Sequence, residues 1–195
     1  MINKYTYLRG HTKFADNIIH KKRLEIISII KENLISPNFK DILDIGTTVD
    51  TSKSSNLIIK NLKNFKSYKS ISNQKITSNL FTKKLQKSIT QDFSLNELET
   101  FRSDVVISNA TIEHVGSDQQ QLKMLKNIVK LTKKIFIVVT PNRLHPIEFH
   151  SKIPFIHWLP KKIHRKILSV IGMSYLSKEK NMNLLKPINL VNLMK

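Results

Sequence analysis

The sequence predicts an α/β fold: a doubly wound, mostly parallel sheet with helices on both faces. Three observations predict it. The segment Asp104 to Gly116, D-V-V-I-S-N-A-T-I-E-H-V-G, starts as a buried strand through Val105, Val106 and Ile107, then breaks into the polar residues Ser108 and Asn109. A second short strand, Asp41-Ile42-Leu43-Asp44-Ile45, stops at Gly46. Between such strands lie segments of helical spacing, an alternation that implies parallel strands joined by right-handed crossovers. In open sheets of this kind ligands sit outside the carboxyl ends of the strands, so the polar residues that follow each strand are the site candidates.

In order along the chain, Phe14, Ile18, Leu24, Ile27, Ile30 and Leu34 recur at three- and four-residue steps and predict a helix over 13–35. Ser36-Pro37-Asn38 ends it, because proline disfavours helical geometry in the residue before it. The first strand follows at 41–45. Residues 51–56, T-S-K-S-S-N, are rich in cap formers and introduce a helix from Leu57 to Phe65. Lys66 to Ser72 reads as a second strand, 73–86 carries no clear signal, and Lys87-Ser88-Ile89-Thr90 reads as a third strand.

Ser94 with Glu97 three residues on forms a capping box for a one-turn helix. The strand of the opening segment comes next. Ser117 or Asp118 then caps a helix whose Leu122, Leu125, Ile128 and Val129 make one apolar face. Residues 134–140, K-I-F-I-V-V-T, form the most hydrophobic strand and stop at Pro141. Beyond it, P-N-R-L-H-P-I-E-F-H-S-K-I-P-F-I-H-W-L-P mixes prolines, histidines and the lone tryptophan, the composition of an ordered loop. A basic helix from Lys161 to Ile171 and a short helical coda complete the chain.

With 195 residues the chain fits one domain, large enough to bury a core without staples. The absence of cysteine excludes disulfides, thiolate metal sites and a thiol nucleophile. No apolar run reaches the length of about 18 residues that a spanning helix needs, and the N-terminus lacks a secretory apolar core; together these point to the cytoplasm. The net charge of +19 would suit nucleic acid or an anionic membrane surface. Only five of the cations are Arg, however, the residue that dominates phosphate and base recognition, and Lys, Ile and Asn are abundant together as in an A/T-rich coding bias. Nucleic acid is therefore not the expected partner. Peripheral membrane contact through the basic residues of 161–166 remains open, and the oligomeric state is not legible.

The ordered pair D-I-L-D-I-G-T-T at 41–48 and S-N-A-T-I-E-H-V-G at 108–116 resembles the class I S-adenosylmethionine-dependent methyltransferases, in particular the small type 11 group, over roughly residues 40–160. The loop T-P-N-R-L-H-P-I-E-F-H with P-F-I-H-W-L-P is similar to a bacterial subgroup of them. The resemblance implies a Rossmann-like fold with an N-terminal helical segment at 1–37, a cofactor-binding core at 38–140, and an acceptor loop with C-terminal helices at 141–195. It implies S-adenosylmethionine as cofactor, and O- or N-methylation of a small-molecule or cell-envelope-precursor acceptor.

Residue by residue, Asp44 and Gly46 match the glycine-rich turn of these enzymes, while Thr48 stands where a second glycine is usual. The hydroxyls of Thr47 and Thr48 could instead bind the methionine carboxylate. No acid closes the second strand to hold the ribose, leaving Asn73 or Gln74 as substitutes. Asp92 fits the position that accepts from the adenine amino group, with Phe93 against the ring. Asn109 and Ala110 face the methionine end, and Glu113 and His114 sit at the mouth of the crevice. His114 has the titration range of a base for an acceptor that must lose a proton; equally, Glu113 and His114 could simply pin their loop.

Asn142, His145, Glu148, His150, His157 and Trp158 form the expected acceptor-binding loop. His and Glu in H-x-x-E-x-H are suitable metal ligands, but the spacing is no helical zinc pattern and Pro146 breaks any helix across it, so no metal is expected. A dinucleotide dehydrogenase does not fit, because Gly46 is not followed by the pyrophosphate-cradling G-x-x-G. A second class of function, a degenerate methyltransferase fold acting as a binding or scaffold protein, is motivated by Thr48, by the missing ribose acid, and by the lack of a final strand pair after residue 171.

Overall fold

The computed structural model describes residues 12–34, 39–49 and 55–194, with side chains described from residue 17 to residue 192. Five strands, β1 (Asp41–Ile45), β2 (Ser67–Ser72), β3 (Lys83–Gln86), β4 (Ser103–Asn109) and β5 (Thr132–Val139), form one sheet in the order β3-β2-β1-β4-β5. Every pairing is parallel. Among the described residues six α-helices accompany it: α1 (Thr12–Asn33), α2 (Leu57–Asn61), α3 (Leu95–Phe101), α4 (Asp118–Leu131), α5 (Lys161–Val170) and α6 (Pro187–Met194). This is the expected α/β, Rossmann-like doubly wound architecture. Among the described residues no strand follows β5 in the chain, and no helix is long and apolar enough to cross a membrane.

The two-residue period of the strands divides the core into two layers. Ile42, Val105 and Ile107 face α1 and α2, meeting Ile27, Ile30, Ile58 and Ile59. Leu43, Ile45 and Val106 face the other way, onto Phe101 of α3, Met124, Leu125 and Ile128 of α4, and Leu190 of α6. A small satellite cluster, centred on the buried Leu168 of α5, packs Met173, Leu176, Met182 and Leu184 beneath the C-terminal segment.

Several elements differ from the sequence reading. The third strand is Lys83–Gln86, and 87–90 is a loop. An edge strand is defined by its backbone ladder to one neighbour, here Lys69↔Lys83 through Ser72↔Gln86, and these side chains carry little apolar signal. Ile89 owes its burial to packing, since the loop itself places it in the core. α2 ends at Asn61 because Leu62 turns extended and buries its side chain. α3 is two turns long, and its capping box forms as expected: Ser94 Oγ accepts from Glu97 N, and Glu97 accepts from Ser94 N.

Ser117 caps α4, but Val129 is exposed; Met124 faces the core instead, beside Asn127, whose amide donates to the carbonyls of Ile89 and Gln91. β5, the most hydrophobic strand in sequence, lies at an edge, whereas β4 is central and almost fully buried. The helix stop at Ser36-Pro37-Asn38, the cap formers of 51–54, Asp50 and the side chain of Phe14 lie outside the described residues.

The amino ends of the strands are locked by charge. Lys69 Nζ, nearly buried, donates to Asp41 Oδ2 at 2.8 Å and to the Arg102 carbonyl at 2.9 Å. Asp41 Oδ1 accepts from Asp104 N, and Asp104 Oδ2 accepts from Lys40 N. β1, β2 and β4 are thereby held in register at one end. The carboxyl ends of β1 and β4 meet where the Thr111 side chain lies against Gly46: the glycine has φ +86°, and a Cβ there would lie 2.0 Å from Thr111 Oγ1. Replacing Gly46 with Ala combines left-handed strain with overpacking and is expected to cost about 2–4 kcal/mol. Urea denaturation would measure it, with partial recovery in the Gly46→Ala/Thr111→Ala double variant. An unchanged midpoint in the single variant would contradict the close approach.

Candidate functional site

β1 and β4 are neighbours, yet the chain leaves β1 for α2 on one face and leaves β4 for α4 on the other. Their carboxyl ends therefore open a crevice at the point where the winding reverses. A cavity of about 420 Å³ lies there, within the range of small-molecule sites. Its floor is Asp44, Gly46 and Thr48 from β1 and its turn, with Asn109 and Ala110 from β4. Leu57, Ile58 and Ile59 of α2 form an apolar wall, and His114, Thr140 and His150 a polar one. α1 covers it with Arg23 and Ile26.

The turn after β1 replaces glycine flexibility with side-chain clamps. Asn56, at φ +51°, accepts from Thr48 N at 3.1 Å and donates to Thr48 O at 2.9 Å. Ser72 Oγ donates to Thr47 O at 2.7 Å, and Gln74 Oε1 accepts from Val49 N. Gln74 thus holds the loop rather than standing open for a ribose. Thr47 is also committed: buried, its hydroxyl donates to Asp44 Oδ2 at 2.6 Å. Burial pushes the Asp44 carboxyl up to about 6, with the Thr47 hydrogen bond opposing. Among the described residues no cationic side chain pairs with it.

The second constellation joins three chain segments. After β4 a 3₁₀ turn, Ile112–His114, buries Glu113 completely and turns His114 toward the cavity. Glu113 Oε2 accepts from Thr140 Oγ1 at 2.9 Å, while Oε1 has no hydrogen-bond partner. His114 Nδ1 lies 2.6 Å from the Asn181 carbonyl, and Asn183 N donates to the Glu113 carbonyl, so the C-terminal segment braces the turn.

From the loop after β5, His150 brings Nε2 to 3.1 Å from His114 Nε2 and sets Nδ1 2.8 Å from Glu148 Oε1. Burial alone would raise the Glu148 carboxyl, but the hydrogen bond and charge of His150 and the donor groups of Ser151 hold it down at about 2. Burial likewise opposes a charged His150, and the Glu148 bond with the charges of Glu148 and Glu113 outweighs it, raising His150 above its ordinary value.

The structure therefore brings Asp44, Gly46, Thr48, Asn109, Ala110, His114 and His150 to one cavity, with Glu113 and Glu148 directly behind the histidines. Others do not reach it. Asp92 is 86% exposed and ion-paired with Lys123, and Phe93 packs on the α3–α4 side under the Lys87 ammonium. Asn142 lines an adjoining hollow of about 260 Å³ that shares Thr140. His145 holds its own loop through Ile147, and His157 is buried, donating from Nε2 to the His145 carbonyl. Trp158 is half exposed against Phe155.

Arg23, Asn56, Thr140 and Asn181 escaped the sequence reading. Arg23 alone carried a signal, as one of few arginines in a lysine-rich chain. Compared with protein-family models and with curated proteins, the chain matches none.

The raised Asp44 carboxyl has a consequence for stability. Between its ordinary value near 3.8 and about 6 the folded chain holds a proton that the unfolded chain has lost, so stability falls as pH rises through this window. Asp44→Asn is expected to stabilise the chain by on the order of 2–3 kcal/mol above the window and by nothing below it. Urea midpoints taken across pH would check this; a variant less stable than its parent at neutral pH would contradict it.

Proposed function

We propose that this chain is an S-adenosylmethionine-dependent methyltransferase acting on an oxygen or nitrogen of a small-molecule or cell-envelope-precursor acceptor. One observation carries the reading: a cavity at the β1–β4 reversal whose floor holds a buried carboxylate with no cationic partner among the described residues, beside the small residues Asn109 and Ala110. A sulfonium and an α-ammonium are cations, and Asp44 supplies the compensating charge that burial otherwise leaves uncompensated. S-adenosylmethionine supplies an activated methyl group. The chain's own residues supply position: Asp44, Gly46, Thr48 and Asn109 hold the methionyl end, and Ala110 leaves room between cofactor and acceptor. In-line displacement at carbon is accelerated chiefly by such positioning.

The polar wall then handles the proton. The Asn181 carbonyl accepts from Nδ1 of His114, which leaves the Nε2 lone pair beside His150 Nε2 at the cavity wall, where the histidine pair can take the acceptor's proton. Glu113 Oε1 lies 3.9 Å from His114 Nε2. Lys162 and Lys166 stay exposed on α5 beside Trp158 and Ile163, and support peripheral contact with an anionic surface. Lys161 and Arg165 are paired internally with Asp118 and Glu179 and take less part.

A second reading, a non-catalytic binding protein on the same fold, is favoured by the adenosine side. β2 ends without an acid, Gln74 is engaged, and Asp92 points to solvent. Calorimetry with S-adenosylhomocysteine separates the two. The enzyme reading expects saturable binding, lost in Ala110→Leu and weakened about tenfold or more in Asp44→Asn, in keeping with the loss of a charge-assisted contact of roughly 1.5–3 kcal/mol. Asp92→Asn is expected to leave it unchanged. No detectable heat at millimolar ligand would overturn the enzyme reading in favour of the second.

A further inference from the structure

We propose that Glu113, His114 and His150 form a binding site for a divalent transition-metal ion, zinc being the best match, with its open coordination position toward the β1–β4 cavity. Only the use of the ion in catalysis rests on the methyl-transfer reading; its binding stands on the geometry below.

The three donor atoms are mutually close. His114 Nε2 and His150 Nε2 are 3.1 Å apart, and Glu113 Oε1 lies 3.9 Å from the first and 3.8 Å from the second. A triangle with these sides has a circumradius of about 2.1 Å, so one point sits at a first-row metal–ligand distance from all three atoms. The imidazole planes cross at 88° with centroids 4.8 Å apart, closer than two rings meeting nose to nose across 3.1 Å would be. The rings converge on a point between them.

The hydrogen bonds behind the rings decide what they present to that point. His114 Nδ1 faces a carbonyl oxygen and His150 Nδ1 a carboxylate oxygen, and both partners can only accept. Each neutral ring therefore carries its hydrogen on Nδ1 and turns the Nε2 lone pair inward. With both rings neutral, two lone pairs and a carboxylate oxygen face one another, an arrangement that a metal ion satisfies for all three atoms whereas a proton shared by the imidazoles satisfies only the two nitrogens. Glu113 Oε1 adds a second, independent sign: it is fully buried, it has no hydrogen-bond partner among the described residues, and its twin Oε2 already accepts from Thr140. A buried carboxylate oxygen left open is costly, and a metal ion satisfies it.

The outer shell has the form that metal sites use, each ligating imidazole held by an acceptor on its far nitrogen. Glu148 is itself fixed by the backbone N–H groups of His150 and Ser151. Two imidazoles and one carboxylate suit zinc and disfavour magnesium or calcium, which prefer oxygen-only shells. His114 and His150 line the cavity, so the remaining coordination position faces it. In the metal-bound state His114 Nε2 is a ligand rather than a base, and the ion acidifies an acceptor oxygen in its place. The loop spacing of His145, Glu148 and His150 concealed this site, because His150 takes its partners from the turn after β4.

The test uses the tag-free full chain, stripped with chelator and shown by circular dichroism to be folded. Titration with Zn²⁺ against a chromophoric chelator, and with Co²⁺ followed by visible absorption, is expected to show one equivalent bound at micromolar metal. His150→Ala and the isosteric Glu113→Gln should weaken uptake at least about a hundredfold, and Glu148→Gln, which alters only the outer shell, by about 10–100-fold. His20→Ala, an exposed histidine on α1, should change nothing. A folded chain that takes up neither ion at a hundred-fold higher concentration would overturn the site, leaving a proton shared between the imidazoles. Uptake undiminished in His150→Ala would overturn it equally. S-adenosylhomocysteine binding by the chelator-treated protein is measured separately, so failure of the metal site and failure of the methyl-transfer reading are distinguishable.

Discussion

The contact between Gly46 and Thr111 is the constraint on which the site depends. The turn after β1 passes so close to the turn after β4 that no Cβ fits between them. Thr111 uses that proximity, its hydroxyl lying within hydrogen-bonding distance of the Ile45 and Asn109 carbonyls and tying the two strand ends together. Immediately beyond Thr111 the chain enters the 3₁₀ turn that buries Glu113 and presents His114. The polar wall of the cavity is thus positioned by the Thr111 side chain lying against a glycine that has no Cβ. The left-handed Ala110, φ +50°, sits in the same turn and keeps the floor open.

Charge is distributed unevenly in a way that the net value of +19 conceals. At the amino ends of the strands, Asp41 and Asp104 are matched by Lys69, Lys133 and Lys134, a network that is structural and closed. At the carboxyl ends, Asp44, Glu113 and Glu148 are buried around one cavity, and among the described residues no lysine lines it. Glu113 and Glu148 have histidines as their counter-charges, and Arg23 of α1 lines the same cavity. In a chain with 33 basic residues, this buried acidic cluster supports the proposal of a cationic ligand rather than an anionic one.

Much of the fold was legible because the strands β1 and β4 are nearly continuous apolar runs with abrupt polar ends. The capping box at Ser94 and Glu97 was legible for the same reason, being a local pattern with a local cause. β3 was not, because Lys83–Gln86 carries no hydrophobic pattern and exists through its ladder to β2. On the site, Asn109 and His114 could be named from their place where β4 ends, and Asp44, Gly46 and Ala110 through the resemblance. The clamp of Asn56 on Thr48 could not, since it joins residues eight positions apart by no local pattern. The pairing of His114 with His150 spans 36 residues and depends on how the loop after β5 folds back, which no spacing rule anticipates. Asp92, carried by resemblance, lies where its exposure and its partner Lys123 would leave any loop acid.

The central claim, that the β1–β4 crevice is a site for a cationic methyl donor beside a polar acceptor wall, is tested most directly by a crystal structure with S-adenosylhomocysteine at saturating concentration. The account predicts the amino-acid end of the ligand against Asp44 and Asn109, with its sulfur directed across Ala110 toward His114 and His150. A ligand seated elsewhere on the chain, or a crevice still empty at saturation, would contradict it.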